Sequence, residues 1–216
     1  GSLPEKREEL YADAVDLLLE QWEGCKVEHD DSGKPLVEQP ALAEWLKVDR
    51  EVVRAELDRL AFEAHRDQGT LEGTADIPQE RLVGALLSVA ANPQAKANPL
   101  ELMGYLCDRA GLLVARGEGI YAFPHRTFQE YLAACHLTDH AFPRALVELL
   151  RGDPQRWREA TLLAGAKAAR GTASAVWNLA EALCHREPPQ ARAAEADCWG
   201  ALLAAQVLLE NEGPRL

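Results

Sequence analysis

No apolar run in this 216-residue chain approaches the ~18–20 residues that a membrane-spanning helix needs. That argues against a helical membrane anchor within the sequence. No basic-then-apolar leader with a small-residue cleavage site opens it either. Gly1-Ser2 looks like a cloning remnant instead, so the expectation is a piece of a longer protein. Cysteine occurs five times but never as a Cys-x-x-Cys pair. An odd set without pairing signals reads as reduced thiols in a cytoplasmic protein. Cys107, Cys135, Cys184 and Cys198 fall in apolar helical patterns that would bury them. A phosphate loop, G-x-x-x-x-G-K-[ST], is also missing. Gly33-Lys34 is the one Gly-Lys pair; Pro35 follows it, and Glu28 stands where the first glycine belongs. No acidic residue closes an apolar strand in the way a Mg²⁺-holding carboxylate would.

What is present is ordinary for a globular chain. Hydrophobic residues make up 47% and charged residues 27%, enough to bury a real core. The net charge of −12 is uneven: residues 1–100 hold 11 Lys and Arg against 21 Asp and Glu. An acidic first half repels phosphate backbones and anionic membranes alike.

Apolar periodicity predicts a mainly helical fold. Residues 4–23 form a helix with Leu10, Ala14, Leu17, Leu18 and Trp22 at helical spacing. Residues 25–39 are polar and turn-rich, a surface loop or loose hairpin. Helices follow at 40–48, at 49–67 with Asp49 as cap and Val52, Val53, Leu57 and Leu60 inside, and at 77–90, opened by Pro78. Another spans 98–111, with Asn98 as cap, Pro99 in the first turn and Gly111 as stop. Two short apolar runs then flank Arg116-Gly117-Glu118-Gly119, a β-hairpin signal. Helices followed by a small hairpin make a winged-helix pattern with the hairpin as wing. From 143 onward the pattern is helical, with segments at 143–151, 154–169, 172–185 and 189–211. Trp157, Trp177 and Trp199 each open a similar run. These are either a faint repeat of stacked helices or three unrelated core residues. The organisation expected is a first helical domain at 3–47, a winged helix at 48–140 and a helical, solenoid-like arm at 141–216.

The most informative stretch is "YAFPHRTFQEYLAACHL", Tyr121 to Leu137. It begins as a strand and turns into a helix around His125. Thr127 and Glu130 fit a capping box, and Phe128, Tyr131, Leu132 and Cys135 share one face, leaving Gln129 to point away. A start at Pro124 is the alternative boundary. The string Phe123, His125, Thr127, Phe128, Gln129, Glu130, Tyr131, Ala133, Ala134 resembles the end of the winged-helix region in NACHT-family signalling ATPases, which include the animal NOD-like receptors and bacterial relatives. The resemblance spans roughly residues 3–140. It implies a non-catalytic fragment, cut free of the ATPase core, whose partner is the NACHT nucleotide-binding domain of its own parent chain. It implies no cofactor in the fragment, and ADP or ATP with Mg²⁺ in the parent. The winged helix would lock the ADP-bound state and release on exchange for ATP, the parent then forming homo-oligomers. By the same resemblance His125 would contact the β-phosphate of ADP. The Ala-, Leu- and Arg-rich composition hints at a bacterial source.

Other constellations are weaker. His136 and His140 stand at a zinc-compatible i, i+4 spacing, but Leu137 replaces the glutamate of H-E-x-x-H and no third ligand suggests itself. No metal site is expected. Cys135 and His125 are separated by nearly three helical turns, too far for a catalytic pair, and no catalytic residue is assigned. A winged-helix nucleic-acid binder is one alternative, yet the helix before the wing offers Arg109 as its sole cation beside Glu101 and Asp108. The Arg151, Arg156 and Arg158 cluster reads as a solvated helix end. A helical protein-interaction scaffold is the other alternative.

Overall fold

The computed structural model describes residues 7–23, 26–30, 32–39, 50–89, 107, 111–184 and 199–211. The chain divides into two compact units, residues 1–129 and 130–216. It is mainly helical, as the periodicity predicts.

In the first unit, α1 (Arg7–Glu23) carries its buried side chains at Glu8, Ala12, Val15 and Leu19. The stripe read from the sequence is therefore rotated: Leu10 and Leu17 lie on the solvent side, 42% and 55% exposed. Both stripes have helical spacing, and local periodicity cannot choose between them. A hairpin follows, β1 (Lys26–His29) antiparallel to β2 (Pro35–Gln39). Asp30 organises its turn, its Oδ1 accepting from the Ser32 and Lys34 N–H groups at 2.9 Å each. α2 (Arg50–Asp67) buries Val53, Leu57 and Leu60 and leaves Val52 outside. Arg50 and Arg54 tie it to α1 through Asp16.

The segment after the 68–76 loop departs from expectation. Ile77 and Pro78 form a short strand, β3 (Ile77–Pro78), and α3 (Gln79–Val89) begins after the proline. β3 pairs with β5 (Ile120–Ala122), which pairs in turn with β4 (Val114–Gly117), all antiparallel. Pro78 has no N–H to give, and the Gln79 N–H bonds the Gly119 carbonyl at 2.9 Å instead. Gly119, at φ +69°, makes the wing's turn. The wing is thus a three-stranded sheet. The helices read at 40–48 and 98–111 lie outside the described residues, apart from Cys107 and Gly111 of the second. Gly111 sits at φ +61°, the left-handed conformation a helix stop requires.

α4 (Arg126–Asp139) runs across the division between Gln129 and Glu130. The second unit continues with α5 (Arg144–Gly152), α6 (Pro154–Gly171), α7 (Ala173–Cys184) and α8 (Trp199–Asn211). α6 packs against α5, α7 and α8, and α7 packs against α8. Asp153 caps α6, its carboxylate accepting from the Arg156 N–H at 3.1 Å, and Pro154 fills the first position, where no N–H is needed. The three tryptophans are not equivalent: Trp157 is buried, Trp177 is 61% exposed and Trp199 is half-buried. Cys135 is buried as expected, but Cys107 is half-buried and Cys184 exposed. Among the described residues no helix is long and apolar enough to cross a membrane.

Candidate functional site

The strand-to-helix junction is pinned by Phe123, whose side chain is fully buried directly after β5. Two residues later the chain is at the surface, with His125 exposed. Its carbonyl accepts from the N–H groups of Phe128 (3.1 Å) and Gln129 (3.3 Å), so His125 itself is the residue that opens α4. Thr127, exposed, therefore lies inside the first turn and is not the cap. The capping-box reading placed the start two residues late because so short a match, S/T-x-x-E, also arises inside a helix. The earlier boundary, near Pro124, is nearer the truth.

The helix face also differs from expectation. Residues 129–135 are buried without a break, Gln129, Glu130, Tyr131 and Leu132 included. A helix buried all round has no solvent side over that length. Gln129, expected to point outward, is fully buried and fully engaged. Its Oε1 accepts from the Ala75 N–H at 2.8 Å; its Nε2 meets His65 Nδ1 at 3.1 Å and Gln68 Oε1 at 3.1 Å. Since that amide nitrogen can only donate, His65 Nδ1 must accept, which fixes the imidazole of buried His65 as the neutral Nε2–H form. Partners 54 and 64 residues away in sequence leave no local signal, so sequence reasoning missed them.

Phe128 is half-buried, with aromatic neighbours on two sides. His125 stacks on it with ring centroids 6.2 Å apart and planes at 25°; Tyr11 of α1 meets it edge-on, also at 6.2 Å. Among the described residues His125 has no hydrogen-bond or ion-pair partner for its ring. The site is thus an exposed imidazole at the N-terminus of a 14-residue helix, backed by a phenyl ring and underpinned by a buried amide.

Elsewhere, His136 and His140 stack at 4.3 Å, with His140 Nδ1 2.8 Å from the His136 carbonyl. Asp139 is taken by Lys167, at 2.9 Å. No cluster of three or more metal-ligating side chains occurs among the described residues. Two arginines of the cluster are engaged: Arg156 holds Asp153, and Arg158 reaches neighbouring Glu159 and distant Gln206.

Helices, a three-stranded wing and the helix that follows it define a winged-helix protein. The family described as "winged helix-turn-helix domain C-terminal to NACHT" matches residues 7–137, more than half of the chain, and the chain belongs to it. No curated protein and no solved structure matches it significantly.

Proposed function

We propose that this chain is the regulatory portion of a cytoplasmic NACHT signalling ATPase, and that His125 is its contact with bound nucleotide. Membership of a family described as C-terminal to NACHT supports a NACHT core as its neighbour. The observation that carries the reading is the exposed imidazole of His125, without a polar partner among the described residues, at the start of α4. A helix N-terminus favours anions through its unpaired N–H groups and its dipole. This chain's residues fit one edge of ADP and no more: His125 and the first turn of α4 can meet a phosphate, but no phosphate loop accompanies them. When bound, the diphosphate supplies the negative charge that joins the two domains. His125 donates one hydrogen bond to a phosphate oxygen, a bond light enough to be broken when the winged helix releases. Catalysis lies outside this chain, and oligomerisation of the parent follows release.

In the parent protein, His125→Ala should release ADP about 10- to 100-fold faster, the worth of one hydrogen bond to a charged group. The variant should favour the open state, while the melting temperature of the isolated chain stays within about 1 °C of wild type, because an exposed side chain contributes little. ADP held as long as in wild type would sink the reading.

A further inference from the structure

The geometry points to Gln129 as the positioning residue of His125, an inference that rests on the nucleotide-contact reading above. Gln129 belongs both to the first turn of α4 and to a buried polar network. Its backbone N–H bonds the His125 carbonyl at 3.3 Å. Its side chain, fully buried, reaches three separate stations: the Ala75 N–H in the loop before β3, Gln68 just past α2, and His65 in the last turn of α2. A buried amide with both ends satisfied resists displacement, since leaving those partners unpaired in the interior is costly.

The consequence passes back through the first turn of α4. Fixing Gln129 fixes the turn from His125 to Gln129, and with it the Phe128 backbone. Phe128 presents the ring on which the imidazole stacks, and Tyr11 braces that ring's other side. Among the described residues His125 has no polar partner of its own to hold it. Its orientation therefore comes from this ring and this turn, both of which Gln129 anchors. The loop is held at a second point as well, where Arg116 of β4 donates to the Thr74 carbonyl at 3.2 Å. The anchor is thus itself fastened to the wing.

The test uses two variants of the 216-residue chain. Gln129→Leu keeps the volume and removes every side-chain hydrogen bond; Gln68→Ala removes one half-buried arm and stays folded if the first does not. Native-state hydrogen exchange at the Phe128 and Gln129 amides, and the His125 ring resonances, are the readouts. Gln129→Leu should speed exchange at these two amides about tenfold more than at Leu57 and Leu60, and shift the His125 resonances. Gln68→Ala should do the same more weakly. In the parent, Gln129→Leu should hasten ADP release, and adding it to His125→Ala should change nothing further, as coupled residues do. A uniform loss of protection across the first unit with unmoved His125 resonances, in either variant, overturns the proposal and leaves Gln129 a core hydrogen bond. If His125→Ala leaves ADP retention unchanged, the nucleotide reading falls. The resonance and exchange measurements, which need no nucleotide, still decide whether Gln129 positions the imidazole.

Discussion

The two units mix polar and small-residue joints in different ways. In residues 7–129, segments far apart in sequence are joined by polar side chains: Asp16 to Arg50 and Arg54, Asp67 to Arg81, Arg116 to Thr74, and Gln129 to His65, Gln68 and Ala75. Among the described residues of 130–211 polar joints occur too, Lys167 to Asp139 and Arg158 to Gln206, but small residues also let helices approach closely. A Cβ on Gly165 would lie 2.8 Å from Val207 Cγ1, and one on Gly200 would lie 2.5 Å from the Leu183 carbonyl oxygen. Ala160, Ala164 and Ala204 are also buried there. Polar joints fix orientation, because hydrogen bonds are directional. Small-residue joints fix distance, because close-packed interiors admit little extra volume.

Glycine substitution is the sharpest way to break this contrast. Gly200→Ala pushes a methyl group into a backbone carbonyl, which cannot swing aside as a side-chain tip can. It should destabilise the protein by about 1–3 kcal/mol, the usual cost of overpacking. Gly165→Ala should cost less, since the obstructing atom is the end of a valine side chain. The urea midpoint reads both. A wild-type midpoint for Gly200→Ala would show that α7 and α8 are not held at this distance.

The same contrast explains what the sequence could and could not say. Elements whose signals are local were legible. Asp153-Pro154 announces the start of α6, and the Gly117–Gly119 stretch announces the wing's turn. The winged-helix architecture followed from the order of such signals. Failures came where a distant partner decides. Pro78 looks like a helix opener, yet Tyr121 and Ile120, more than 40 positions on, recruit Ile77-Pro78 as a strand. Gln129 looks like a surface residue on a helical wheel, yet His65, Gln68 and Ala75 draw it inside. Leu10 and Leu17 were placed inward for want of any way to see which of two apolar stripes the rest of the unit covers. Of the candidate site, the motif and its histidine were legible; the amide beneath them was not.

A smaller effect of opposite sign comes from Gly84 in α3. This glycine is exposed inside a helix, and a Cβ there would meet nothing within 4 Å. With no close contact to violate, the backbone entropy of glycine is the remaining factor. Gly84→Ala should therefore stabilise the chain by about 0.5–1 kcal/mol, seen as a raised urea midpoint. Destabilisation would mean that the first unit, too, contains small-residue contacts at this surface.

The smallest effect concerns the polar joints themselves. Asp67 ends α2, where a negative charge meets the unfavourable end of the helix dipole. The Arg66 guanidinium, at 2.8 Å, is the main cause holding its carboxyl below the usual carboxylate range; Arg81 of α3, at 3.3 Å, adds to it. All three side chains are more than a third exposed, so solvent screening reduces the contribution to a few tenths of a kcal/mol. A carboxyl depressed in the folded state binds fewer protons there than in the unfolded chain. Its stabilisation is therefore present above the unfolded pKa of about 3.9 and is lost as pH falls through the lower folded value. Asp67→Asn removes the titrating charge while keeping the shape. The variant should be less stable than wild type at pH 7 by those few tenths. The gap should narrow as the pH is lowered past 4, and it should shrink in 1 M salt at pH 7 as the pair is screened. Urea midpoints of the two proteins at pH 7 and pH 3, with and without salt, supply the comparison. A gap that stays constant across both changes would mean that Asp67 acts through packing, and that the joint between α2 and α3 is not electrostatic.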